Sequence, residues 1–324
     1  MRFERRQFLI LATSAALPTL SGRAIAQAYP NRFVRFVVPF PPGGSADPIA
    51  RVLANRLTEV WGQQVVIENK AGAGGNIAAQ SVSQSSPDGY TLFIGGTFLA
   101  TNAYLYSSVV NPITDLTSVT RICTYTNVLI VPNSSPARSV REFIEYCKAN
   151  RGKTTFASSG TGASPHLNGE LFKRTAVVEM IHVPYRGGGP ALNDLIPGRV
   201  DAMFATLPSV IALIQSKTVR ALGVVSAARS PFAPDIPTFV ESGVANFNAT
   251  NDYALFLPPK TPGEIVSKVH DDTVAALAYP PVRRRLGELA ASAVTSTPGE
   301  LAALLKGEMD KWGPIIKDLG IKVD

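Results

Sequence analysis

The sequence predicts an α/β protein of two domains, each a mainly parallel sheet flanked by helices. Short β-branched runs alternate with helix-length segments along most of the chain, the pattern of parallel strands covered on both faces. After Asp252 the alternation stops, and one more strand-like run is followed only by helical patterns. Gly and Pro are abundant but fall at element boundaries rather than in tracts, so disorder is not indicated.

The N-terminus reads as an address. Arg2, Arg5 and Arg6 precede an apolar run from Phe8 to Leu20, and Ala24-Ile25-Ala26 supplies a small-residue cleavage signal. Residues 1–26 are therefore expected to be a signal peptide, with the mature chain starting at Gln27. Arg5-Arg6-Gln7-Phe8-Leu9 is similar to the twin-arginine export signal. No later run of eighteen apolar residues implies a membrane span, and no cysteine at the cleavage point implies a lipid anchor. A soluble, monomeric periplasmic protein is expected.

Strands are expected at Val34–Val38 and at 65–68, 92–94, 128–131, 155–157, 179–183, 202–205 and 221–225. Helices fall between them; in the first, Ile49, Leu53, Leu57 and Trp61 recur every four residues and mark a buried face. A final strand at 253–257 precedes helices starting near Pro262, Pro281 and Pro298. A helical tail cannot build a sheet domain of its own, so it is expected to pack back onto the first. The first domain then comprises 27–127 and 253–324, with the second, 128–252, inserted between. Two crossings make a hinge, and a ligand sits in the cleft.

Charge and cysteine content exclude several function classes. Losing the four arginines and one glutamate of residues 1–26 lowers the formal charge from +7 to +4. Basic residues are scattered, without the stripe of a nucleic-acid binder. Two cysteines and three dispersed histidines give no metal-ligand spacing, and no cofactor is implied. Cys123 and Cys147 are free to pair in an oxidising compartment, but the sequence does not bring them together.

Recognition is expected at glycine-rich turns between strand and helix. In Phe40-Pro41-Pro42-Gly43-Gly44-Ser45-Ala46-Asp47-Pro48, bare glycines admit a ligand to the start of a helix, where N–H groups lack internal partners; Ser45 or Asp47 is placed to cap it. Ser158-Ser159-Gly160-Thr161-Gly162-Ala163-Ser164-Pro165 combines hydroxyls with a helix start, with Ser164 read as the cap, and suits a carboxylate or a simple capped turn. Tyr185-Arg186-Gly187-Gly188-Gly189 repeats the arrangement; Tyr185 is placed to stack on a ligand, and Arg186 to pair with an anion or to form a surface ion pair. Ala71-Gly72-Ala73-Gly74-Gly75-Asn76 is a fourth such turn. Ile77 stands where a dinucleotide fingerprint needs its third glycine, but Asn76 can reach the cleft. Hydrolase chemistry finds little support: Gly-x-Ser-x-Gly is absent around His166, and His182 sits within a strand as a structural residue.

Together, residues 38–51, 66–79, 85–90, 158–172, 183–204, 221–241 and 312–324 resemble the Bug-type receptors, the periplasmic substrate-binding receptors of tripartite tricarboxylate transporters. The resemblance covers nearly all of the mature chain. It implies a two-domain periplasmic binding protein of flytrap form without catalysis, delivering a small organic carboxylate to a membrane permease or presenting it to a sensor protein. In that family main-chain groups and ordered water hold the ligand, from loops that match 40–45 and 158–164. The ligand-binding candidates are thus Phe40, Pro42, Gly43, Gly44, Ser45, Asn76, Ser158, Gly160, Thr161, Ala163, Ser164, Tyr185 and Arg186, joined by Asp201 in the matching stretch 183–204 and by Asp252. Asp252 stands where these receptors often carry an aromatic residue. Facing the cleft it would favour an amino-acid-like ligand over a plain polycarboxylate; otherwise it caps a turn at the hinge.

Overall fold

The computed structural model describes residues 29–323 apart from 108, 246 and 248, so the signal-peptide expectation lies outside the described residues. The first lobe opens with β1 (Val34–Val38), α1 (Ala46–Trp61), β2 (Val65–Asn69), α2 (Asn76–Ser83), β3 (Thr91–Gly96) and α3 (Phe98–Leu105). A long strand, β4 (Thr117–Pro132), leads into α4 (Val140–Ala149), β5 (Thr155–Ser158), α5 (Ser164–Thr175), β6 (Ile181–Pro184) and α6 (Gly188–Leu195). Then come β7 (Ala202–Thr206), α7 (Leu207–Gln215) and β8 (Val219–Val224). The chain closes with β9 (Thr250–Leu257), α8 (Gly263–Ala278), α9 (Pro280–Glu288), β10 (Ser292–Ala293) and α10 (Pro298–Leu319).

One strand serves both lobes. The first part of β4 pairs with β9 and β10, and from Asn127 onward it pairs with β7 and β8. The return crossing lies beside the outgoing one: Ala249 still bonds to Val225 in the second lobe, while Thr250 pairs with Thr126. The change of pairing partner thus falls at 126/127 and 249/250.

The sheets are mixed rather than mainly parallel. β1 is parallel to β2 and β3, and β5 to β6 and β7, but every pairing made by β4 or β9 is antiparallel. The physical reason is the crossing itself, since the chain leaves along one strand and comes back along its neighbour.

Alternation along β7 builds the second lobe's two cores. Ala202 and Phe204 face a cluster with Phe143, Phe156, Phe172 and Phe239, whereas Met203 and Ala205 face Ile130, Leu195 and Val210. The C-terminal segment is not confined to the first lobe. Leu301 and Leu305 of α10 enter the first core, but Trp312 and Ile316 enter the second. At 22 residues this helix is long enough to reach both. Cys123 and Cys147 are buried free thiols, on β4 and α4, and do not pair.

Candidate ligand-binding site

The C-terminal ends of β1, β5, β6 and β7 deliver the chain to one cleft, where α1, α5, α6 and α7 begin. Ser45 precedes α1 in a helical conformation and makes no side-chain cap; its hydroxyl instead shares a 2.8 Å hydrogen bond with the Tyr253 phenol. Asp47 does not cap either, because Arg51 and Asn69 donate to its carboxylate. Ala163, not Ser164, occupies the cap position of α5, and the Ser164 hydroxyl accepts from Asn127 Nδ2 at 3.1 Å. Gly187 precedes α6 and Thr206 precedes α7.

These starts surround a narrow cavity. Its walls are aromatic: Tyr125 stacks on Tyr253 at 4.7 Å, and Phe40 meets Phe98 edge-on at 5.5 Å. Its side-chain polar groups are the hydroxyls of Ser45, Tyr125, Ser159, Ser164, Thr206, Ser209 and Tyr253, and among the described residues no Asp, Glu, Lys, Arg or His lines it. Burial raises the Tyr253 phenol to about 12, so it stays protonated at neutral pH. First-turn N–H groups without helical partners, together with neutral hydroxyls, form a donor set for an anion's oxygens.

A second, outer chamber of about 610 Å³ shares Phe40, Pro41, Ser159 and Gly187 with the first. The lobes touch around it. The Tyr106 hydroxyl donates to the Thr161 carbonyl at 2.9 Å, and a Cβ on Gly187, at φ 121°, would stand 2.7 Å from Pro41 Cγ.

Of the sequence candidates, Phe40, Gly44, Ser45, Ala163 and Ser164 line the inner cavity, and Gly160, Thr161, Tyr185 and Arg186 line the outer chamber. The others are elsewhere. Pro42 and Gly43 are exposed at the loop tip. Asn76 is buried, and its Oδ1 accepts from Asn102. Ser158 is fully buried, its hydroxyl bonded to His182 Nε2 at 2.7 Å. Asp201 lies before β7, at the end away from the cleft, and accepts from Thr155 N–H at 2.7 Å and from the Tyr146 hydroxyl at 3.1 Å. Asp252 is 4% exposed and pairs with Arg121, whose Nε donates to it at 3.0 Å. Neither carboxylate lines the inner cavity or the outer chamber.

The residue beside Asp252 does. Successive strand residues point to opposite sides, so when Asp252 turns to Arg121, Tyr253 turns into the cavity. Sequence reasoning stopped one residue short. It also missed Phe98, Tyr125, Met203 and the Thr206–Ser209 turn. That turn carried a signal: Thr206-Leu207-Pro208-Ser209 repeats the strand, hydroxyl, proline, helix order of the other loops.

Behind the Ser158 loop, His166 and His182 stack at 4.1 Å. Burial lowers them to about 3 and about 4, so both are neutral near pH 7. His166 Nδ1 accepts from the Gly162 N–H, and His182 holds Ser158, so the pair braces the loop from within.

This architecture can be set beside known proteins. Residues 49–321 match the family described as Tripartite tricarboxylate transporter family receptor, TctC. The chain belongs to this family. The receptor is 38% identical over 314 residues to a protein encoded in the tcbD–tcbE intergenic region of Pseudomonas sp. strain P51, covering 96% of this chain and 94% of the relative. The structure of the periplasmic binding protein BugD superposes with a TM-score of 0.87 at 33% identity, covering 91% of the receptor and 100% of BugD. Rpa4515 of R. palustris, in its structure with adipate, gives 0.88 at 35% identity, with 91% and 100% covered. The receptor's family and two-domain fold are those of Bug-type substrate-binding proteins rather than of enzymes.

Proposed function

We propose that this receptor binds a small organic carboxylate in the cleft between its lobes, in the periplasm, and delivers it as a monomer to a membrane permease. The observation that carries this reading is the inner cavity: helix starts and hydroxyls converge on aromatic walls without any acidic side chain to repel an anion. Adipate in Rpa4515 supports the same ligand class. An amino-acid-like ligand would need a carboxylate for its ammonium group, and Asp252 is committed to Arg121.

Magnitudes favour closure around the ligand. One helix start contributes roughly 0.3–1 kcal/mol to a nearby anion, up to about 2 when partly buried. Micromolar affinity needs about 8 kcal/mol. A few helix ends fall short, so exclusion of water on closing about the paired strands at Thr126 and Thr250 contributes the rest. Export of the folded chain by a twin-arginine signal in residues 1–26 completes the reading.

A thermal-shift screen of the purified protein against mono-, di- and tricarboxylates and amino acids tests it, because a ligand that binds only the folded state raises the melting temperature. Shifts with acids lacking an amino group are expected. Shifts confined to amino acids, or none at all, would overturn the carboxylate reading.

A further inference from the structure

We infer that Asn127, from outside the cavity wall, positions the Ser164 hydroxyl to donate a hydrogen bond to the bound carboxylate. The inference rests on the carboxylate reading of the inner cavity and adds a positioning residue to it. Asn127 is fully buried on β4, at the first register position where that strand pairs with β7 instead of β9. Its Nδ2 carries two hydrogens, and both are committed: one to Ser164 Oγ at 3.1 Å, the other to Asn168 Oδ1. Ser164 Oγ is thus an acceptor toward Asn127. Its own hydrogen goes to no other group among the described residues, and Ser164 lines the cavity. That hydrogen is left for a ligand oxygen.

A carboxylate takes donors only, and an unheld hydroxyl can turn its lone pairs toward the ligand instead of its hydrogen. An amide N–H on the acceptor side of Ser164 Oγ removes that freedom. Stability alone does not account for the amide. Asn127 Oδ1 is buried without a hydrogen-bond partner among the described residues, which costs free energy where an apolar side chain would not. The first lobe repeats the arrangement: on β9, the other crossing strand, Tyr253 holds the Ser45 hydroxyl at the start of α1. The serines at the starts of α1 and α5 are therefore each held by one of the two strands that join the lobes.

A double-mutant cycle read by calorimetric titration with adipate, butanedioate and butanoate tests this. Ser164→Ala and Asn127→Leu are each expected to weaken binding by roughly tenfold, because each removes one oriented donor to a charged group. The double variant should bind no more than about twofold more weakly than either single one, since both changes remove the same interaction. Ser164→Thr, which keeps a hydroxyl, should retain most of the affinity and its dependence on Asn127. Urea unfolding checks the fold of each variant. If Asn127→Leu does not fold, Asn127→Thr, β-branched and one bond shorter, takes its place in the cycle. Losses that multiply in the double variant, or wild-type affinity in either single one, would overturn the positioning role while leaving the inner cavity's reading intact. Failure of every acid to bind the wild type would remove that reading, and this one with it.

Discussion

The Tyr253 phenol and the Ser45 hydroxyl meet at 2.8 Å on the wall of the inner cavity, tying β9 to the start of α1 across 208 residues of chain. Both groups are buried and both belong to the first lobe, so this bond shapes that lobe's wall of the cavity. Tyr253→Phe should lower stability by about 1 kcal/mol, the usual net worth of one such bond, and should weaken carboxylate binding by freeing the Ser45 hydroxyl to rotate. Denaturant unfolding and calorimetry on the same variant check both. Unaltered affinity would take Tyr253 out of recognition.

Gly187 and Pro41 set how closely the lobes approach. An alanine at 187 places Cβ 2.7 Å from Pro41 Cγ and at a φ of 121°, a strain of about 1–3 kcal/mol that is relieved if the loops separate. Gly187→Ala should therefore bind carboxylates about tenfold more weakly, or worse, with only a modest loss of stability. Wild-type affinity in this variant would show that closure does not need the contact.

Asp252 is expected to act in folding rather than in selection. It is nearly inaccessible, and its partner Arg121 lies opposite on β4. Burial pushes the Asp252 carboxyl up, and Arg121 pulls it back down. Asp252→Ala leaves the Arg121 charge without its partner and should cost about 2–4 kcal/mol, a little under a fully buried pair because Arg121 is partly exposed. Ligand preference should not move toward or away from amino acids. A change in ligand ranking would place Asp252 back in the cleft.

The stacked histidines predict an acid limb to stability. In the unfolded chain each titrates near 6.5, whereas in the fold burial lowers His182 to about 4 and His166 to about 3. Between these values the unfolded state binds more protons, so stability is complete above about pH 6.5 and falls as pH drops toward 4. His182→Gln, which can still hydrogen-bond Ser158, should show a shallower decline between pH 7 and pH 5 in urea unfolding. A decline equal to that of wild type would assign the acid limb to the carboxylates.

The positions at which strands pass into helices are written locally. Gly44, Ser45, Ala163 and Ser164 announce themselves because a tight turn from strand into helix needs small residues, whichever partners surround them. The same grammar at Thr206 to Ser209 went unread, although the information was present. Asp201 sits in a stretch that resembles the family, but it lies at the end of β7 away from the cleft, anchoring Thr155.

By itself, then, the sequence determined the α/β class, the order of strands and helices, the four glycine-rich turns and the resemblance to substrate-binding receptors, all of which rest on local periodicity and turn chemistry. Only the tertiary structure decided that β4 is shared between lobes, that α10 reaches both cores, and that Tyr253 lines the inner cavity while Asp252 turns to Arg121. A strand's side chains alternate with a period of two, but which phase points inward is set by its pairing partners, and for β9 these are β3 and β4, more than a hundred residues away.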